Sequence, residues 1–254
     1  MIAWRFADGL VQPAESLPLA DRGFRYGMSF FETVAIFRGR PLFLFEHLRR
    51  LAQAAGPIGG IEVLASAISA LPLPDGVLRL YVTAGPGTIT DPFQGNIYLL
   101  AEPAAVGPAA GHFRLCSVAA PYTPRPGGWK TGNYWQNVDA LTAARRAGCE
   151  EALLFNAAGA LVSASMANVF LQIGGGWVTP ALECGARDGV VREWALRETG
   201  ATESVVDAAA LSEATACFLT NSRIGIQHVT ELDGRPLGDI GPIVATYREK
   251  ILQA

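Results

Sequence analysis

The sequence predicts an α/β protein of the α+β kind, built from two domains. Three observations predict it. Hairpin-like strand pairs alternate with short amphipathic helices, a run rich in Ala, Pro and Gly divides the chain, and 254 residues suffice for two modest cores. Half of the residues are hydrophobic and 17% are charged, which excludes disorder as a description of the whole.

In the first half, IAWRF and LVQP flank Ala7-Asp8-Gly9, and Asp-Gly favours the tight turn of a hairpin. SFFETVAIFRGRPLF (29–43) is aromatic and β-branched around a second turn at Arg38-Gly39. LFEHLRRLAQAAG (44–56) changes to helical spacing: Leu44, Leu48 and Leu51 share a face, Arg50 lies off it as an exposed helical arginine, and Gly56 is the stop. IEVLASAISALP is a second helix, ended by Pro72, and GVLRLYVTAG and NIYLLAEP read as strands. Residues 103–111, between Glu102 and His112, form the linker, so the expected domains are 1–102 and 112–254.

The second half opens with the strand FRLCSVAAP and a glycine-rich loop that leads to Lys130. NVDALTAARRAG is a helix stopped by Gly148; EEALLFNAAGALV and ANVFLQIGGGWVTP are strands with turns at Ala158-Gly159 and 174–176. GVVREWALRETG is a helix, ATACFLTNS a strand and GPIVATYREKIL a closing helix.

Composition narrows the chemistry. A net charge of −3, with the 20 Lys and Arg scattered, gives no electrostatic footprint for nucleic acid. The four cysteines have no C-x-x-C spacing and the three histidines are dispersed, so no metal centre is expected. The N-terminus lacks a basic n-region and an apolar h-region, and no apolar run reaches about eighteen residues. A soluble, cytoplasmic protein outside the membrane is the expectation.

Four places carry candidate chemistry. Lys130 stands beside Asn133, Tyr134 and Trp135, and an amine held in a pocket can bond covalently to a carbonyl. Gly189 precedes a helix whose first amides, those of Val190 and Val191, form an anion site together with the helix dipole. Thr220, Asn221 and Ser222 end a strand with short side chains suited to phosphate oxygens, and Arg50 offers a guanidinium. Singly, each has an ordinary reading: a surface lysine, a glycine-led helix start, a turn, a solvated or salt-bridged arginine. Together they fit a small phosphorylated carbonyl compound, and pyridoxal phosphate answers that description.

The order and spacing of DRGFRYGMSFFETVAIFRGRPLFLFEHLRRL, KTGNYW, GALVSASMANVF, DGVVR and FLTNSRIGIQHV resemble the class IV aminotransferases, the fold-type IV pyridoxal phosphate enzymes. The resemblance runs nearly end to end and implies their two-domain, D-amino acid aminotransferase-like fold, pyridoxal 5'-phosphate at the domain junction, a small amino substrate and a homodimer. It assigns Lys130 to the covalent bond with the cofactor and to movement of the substrate proton. It assigns Arg50, Val190, Val191 and Ser222 to the phosphate, and Tyr134 to the 3-oxygen of the ring. Tyr26, Phe31 and, more weakly, Arg79 fall on the substrate side.

The departures are as informative. Where the family writes E-G-x-x-x-N, with the glutamate on the pyridine nitrogen, this chain has Ser163, while Asn168 and Phe170 keep register. Ala84 in VTAG replaces the arginine by which D-amino acid aminotransferases grip a carboxylate, which argues against a D-amino acid. Arg187-Asp188 replaces a favoured Leu-Pro. The resemblance therefore implies a lyase similar to aminodeoxychorismate lyase, which forms 4-aminobenzoate and pyruvate in folate synthesis. The alternatives are an aminotransferase for branched-chain or similar L-amino acids and a non-catalytic relative.

Overall fold

The computed structural model describes residues 1–253 except 57, 59, 119, 120 and 125–127, so part of the glycine-rich loop before Lys130 lies outside the described residues. The chain packs as two compact units, one formed by Met1–Val106 with Trp129–Asn133, the other by Gly107–Gly128 with 134–253.

In the first unit, β1 (Ile2–Ala7), β2 (Leu10–Pro13), α1 (Arg22–Tyr26), β3 (Ser29–Phe37), β4 (Arg40–Pro41), α2 (Leu44–Ala55), α3 (Ile61–Ser69), β5 (Gly76–Thr83) and β6 (Asn96–Pro103) follow in order. The strands form one antiparallel sheet in the order β2-β1-β6-β5-β3-β4. Alternation divides its faces. Trp4, Val34, Ile36, Leu78, Leu80 and Leu99 turn to one side and bury against Leu48, Leu51, Leu64 and Ile68 of α2 and α3. Each such side chain, fully buried, contributes about 1.5–3 kcal/mol.

The helix α1 has no counterpart in the sequence reading. Asp21 caps it by accepting from Gly23 N at 2.7 Å, and Thr83 Oγ1 donates to the other Asp21 oxygen at 2.7 Å. Arg22, fully buried, donates to the carbonyls of Gly85, Ala84, Asp91 and Pro92, so the cation is satisfied by backbone oxygens of the β5–β6 loop. Gly27 ends the helix in the left-handed region, where a Cβ would also meet Asn133 Oδ1 at 2.5 Å.

Lys130, expected with the second domain, packs in the first unit. β4 pairs with β3 only at Ile36 and Phe37, which leaves the start of β3 at a sheet edge. Trp129–Asn133 takes that edge: Phe31 N donates to Lys130 O at 2.8 Å and Gly132 N to Ser29 O at 3.0 Å.

The second unit contains β7 (Arg114–Ser117), α4 (Trp135–Arg146), β8 (Glu151–Phe155), β9 (Leu161–Ala164), β10 (Asn168–Ile173), β11 (Gly176–Pro180), α5 (Val190–Thr199), β12 (Thr202–Ser204), α6 (Ala208–Ser212), β13 (Ala216–Asn221), β14 (Gly225–Val229), β15 (Glu231–Leu232), β16 (Arg235–Pro236) and α7 (Gly241–Gln253). Two five-stranded sheets, ordered β12-β11-β10-β13-β14 and β16-β15-β7-β8-β9, share a core around Leu115, Leu153, Leu161, Val169, Leu171 and Leu219. α4 packs on β8, α5 on β13 and α7 on β14. Among the described residues no helix is long and apolar enough to cross a membrane, and no His, Cys, Asp and Glu cluster could hold a metal.

Candidate active site

In the first unit the site grows from the alternation of β3. Phe31 and Thr33 face away from the leucine core, and Lys130, on the covering segment, reaches over them. Its Nζ donates to Thr33 Oγ1 at 3.2 Å and lies 4.4 Å from the centroid of the Phe31 ring. Phe31, only 8% exposed, stacks on Tyr81, its register partner on β5, at 5.7 Å. Tyr81 is pushed above the ordinary tyrosine range by burial, against the lowering influence of Arg79. Arg79 stands opposite Thr33 in register and pairs with Glu102 at 3.0 Å. The amine is thus set against an aromatic wall and a neutral hydroxyl, with an arginine one register step away. Tyr26 lies at the end of α1, 40% exposed, with Arg25 4.8 Å from its ring centroid.

Arg50 is not the exposed helical arginine that the leucine spacing suggested. Its side chain is 11% exposed, and its Nε lies 3.8 Å from Glu32 Oε1. Glu32 occupies the core-facing register of β3, and its second oxygen meets His47 Nδ1 at 2.8 Å. His47, fully within the leucine face of α2, and Arg50 stand one turn apart. The motifs of the sequence single out neither Glu32 nor His47. The signal was present, since a carboxylate shares the parity of Phe30, Val34 and Ile36, and a histidine interrupts a leucine stripe.

The second unit has its own candidate anion site, at the start of α5. Among the described residues no side-chain hydrogen bond caps its N-terminus at Gly189, so the first amides, those of Val190 and Val191, suit an added acceptor. Asn168, at the start of β10, donates from Nδ2 to Arg187 O at 2.7 Å and so holds the loop that leads into the helix. Asp188 finds a role that its sequence position did not reveal: it faces the buried guanidinium of Arg192 at 3.9 Å, one helical turn on. Arg192 also donates to Glu203 and to Pro180 O, tying α5 to β11 and β12.

Thr220 pairs in register with Asn168. Its Oγ1 is buried with no hydrogen-bond partner among the described residues. A buried hydroxyl left so is costly unless a ligand satisfies it, and it suits an oxygen anion. Asn221 does not join it. Its Oδ1 accepts from Arg223 N and Ile224 N, both at 2.9 Å, and its Nδ2 donates to Met166 O at 3.0 Å, so this side chain builds the turn. Ser222 sits half-buried in that turn.

Tyr134 occupies the N-cap position of α4 and is half-buried. Ser163 stands on β9 opposite Leu154, also half-buried. At the start of β8, Glu151 is buried and receives hydrogen bonds from Ser165 Oγ and, at 3.3 Å, Met166 N. Burial pushes its carboxyl above the usual glutamate range, only partly offset by those donors.

Comparison with known proteins identifies the family. Residues 29–232 match the family described as amino-transferase class IV. The chain belongs to that family of enzymes. Among class IV relatives, a Methanocaldococcus jannaschii protein named as a branched-chain-amino-acid aminotransferase is 27% identical over 255 residues, 91% of this chain and 88% of the relative. The 4-amino-4-deoxychorismate lyase of Pseudomonas aeruginosa superimposes with a TM-score of 0.81 at 27% identity, covering 99% of this chain and 98% of that one. The branched-chain aminotransferase of Thermoproteus uzoniensis, solved with norvaline, gives a TM-score of 0.87 at 25% identity, over 100% of this chain and 95% of its own. All three likenesses run through both units, and the two solved structures carry the fold-type IV architecture across the whole chain.

Proposed function

We propose that this class IV enzyme binds pyridoxal 5'-phosphate and acts as a lyase on an aminodeoxychorismate-like substrate, forming 4-aminobenzoate and pyruvate. The residues present fit the cofactor. The uncapped start of α5 and the unsatisfied Thr220 hydroxyl suit a phosphate, and Lys130 offers a half-buried amine over an aromatic wall. When bound, pyridoxal phosphate supplies a ring that accepts the electron pair released as the substrate loses its α-proton.

Each proposed role belongs to a residue of this chain. Lys130 holds the cofactor covalently and moves the α-proton through Nζ, with Thr33 Oγ1 orienting that amine. Arg50, the amides of Val190 and Val191, and Ser222 hold the phosphate; Tyr134 donates to the 3-oxygen. Phe31, Tyr26 and, more weakly, Arg79 line the substrate side.

Ser163 carries the preference for the lyase. A hydroxyl in the place of a carboxylate supports the ring nitrogen with a hydrogen bond and no charge. Reversible amino transfer depends on a strong electron sink, whereas formation of an aromatic ring supplies its own driving force. The branched-chain aminotransferase reading stands second, on the 27% identity to the Methanocaldococcus jannaschii relative. We also propose a homodimer, which sedimentation tests directly.

The deciding experiment begins with the purified protein's absorption spectrum. A band that borohydride removes, with the cofactor then found on Lys130, is expected. Assay of the loaded enzyme should show pyruvate and 4-aminobenzoate from aminodeoxychorismate, and slow transfer from L-leucine. A colourless protein that cannot be reconstituted would overturn both enzyme readings.

A further inference from the structure

We infer that Glu32, buried between β3 and α2, is the positioning residue that orients the Arg50 guanidinium toward the cofactor phosphate. This inference rests on the phosphate role proposed above for Arg50.

Burial of this carboxylate carries a cost. Glu32 is 5% exposed on the core face of its strand, in the parity of Phe30, Val34 and Ile36. A carboxylate there is unfavourable unless paired, and a serine or alanine would pack in that layer without the penalty. Each of its two oxygens meets a side chain on the same helix face. His47 Nδ1 fixes Oε2 at 2.8 Å, which sets the carboxylate plane; Oε1 then faces Arg50 Nε at 3.8 Å.

Contact at Nε has a geometric consequence. The end-on edge of a guanidinium, formed by its two Nη groups, is a different edge from the one that Glu32 meets. A phosphate takes such an edge through two parallel hydrogen bonds. An arginine has four rotatable side-chain bonds, and orienting it in advance removes a cost that phosphate binding would otherwise bear. The carboxylate also offsets part of the Arg50 charge, so its removal strengthens attraction while losing orientation. Bidentate recognition depends on direction, so the loss of orientation outweighs the gain of charge.

The test compares cofactor binding to the apoenzyme of wild type, Glu32→Gln, Arg50→Ala and the double variant. Affinity is read by absorbance titration, and the phosphate environment by the ³¹P resonance of bound pyridoxal phosphate. Glu32→Gln keeps the side-chain shape. It should bind the cofactor about tenfold more weakly and move the ³¹P resonance, with the apoenzyme still folded and destabilised no more than Arg50→Ala. In the Arg50→Ala background it should add no further loss. Wild-type or tighter affinity in Glu32→Gln, or losses that add in the double variant, would overturn the inference while Arg50 kept its role. Wild-type affinity in Arg50→Ala would instead remove the phosphate role and the inference together. Should Glu32→Gln fold poorly, Glu32→Asp keeps the charge and shortens the reach. It should show the same loss and the same non-additivity, and unchanged affinity in it overturns the inference equally.

Discussion

Asn168 fills the space that a side chain at residue 189 would need: a Cβ on Gly189 would stand 2.2 Å from Asn168 Oδ1. Gly189 has φ −74°, which any residue adopts, so crowding rather than backbone conformation favours glycine here, with Arg192 Cβ a second neighbour at 3.2 Å. The same asparagine holds Arg187 O, and the pair together set the start of α5. Gly189→Ala should therefore displace the helix start, cost about 1–3 kcal/mol of stability and weaken cofactor binding. Asn168→Ala in the Gly189→Ala background should recover part of the stability, because it removes the clashing atom. Urea denaturation of the apoenzymes checks this; a Gly189→Ala protein as stable as wild type would refute the steric argument.

Arg50→Ala should weaken binding of the cofactor about tenfold to a hundredfold, the range for a charge-assisted hydrogen bond to phosphate. The burial of Arg50 adds a second effect. Its partner Glu32 would keep His47 but lose a cation 3.8 Å away, so the apoenzyme should also lose stability, by about 1–3 kcal/mol. Titration with pyridoxal phosphate and denaturation of the cofactor-free protein separate the two effects. A stability change without an affinity change would leave Arg50 a structural residue.

Glu151 predicts a pH dependence. Burial raises its folded-state pKa above the unfolded value, so its stability contribution is fully present below the unfolded pKa. That contribution is lost as the pH rises through the folded value. Stability should thus decline from the ordinary glutamate range, about pH 4, through the raised value. Glu151→Gln, which can still accept from Ser165 and Met166, should flatten that decline and be the more stable protein above it. Urea midpoints measured across this range decide; parallel curves for both proteins would sink the assignment.

The sequence revealed periodicity more readily than pairing. The leucine spacing of 44, 48 and 51 located α2 because burial repeats every turn, and Gly189 before Val190 marked α5 because glycine precedes an open helix start. Alternation could not show that Glu32, His47 and Arg50 meet, since their contact needs the strand and the helix to pack. The α1 helix was legible in principle, from Asp21 as cap and Gly27 as stop, yet five residues give too little periodicity to read. Asn221 misled for a related reason: an asparagine after a strand suits a ligand or an Asx turn equally, and only the amides of Arg223 and Ile224 decide. Lys130 stood out from its neighbours, but the edge of β3 that holds it is a property of strand pairing, and β4 is only two residues long.

Ser163 gives the last prediction. In the role proposed for Ser163, its hydroxyl would donate to an unprotonated pyridine nitrogen, whereas a carboxylate would favour the protonated one. Ser163→Glu should therefore strengthen the electron sink. Transamination of L-leucine, which the lyase reading expects to be slow in wild type, should rise by about tenfold or more, since one pKa unit of added preference for the protonated ring corresponds to a factor of ten. Lyase activity should change less, because aromatisation already drives it. The position is half-buried on β9 opposite Leu154, so the substitution also carries a desolvation cost. Ser163→Gln, which introduces similar bulk without charge, controls for it and should leave transamination slow. If Gln and Glu act alike, the effect is one of packing. If the wild-type enzyme already transaminates L-leucine at ordinary aminotransferase rates, a hydroxyl suffices at the ring nitrogen, and the branched-chain reading replaces the lyase.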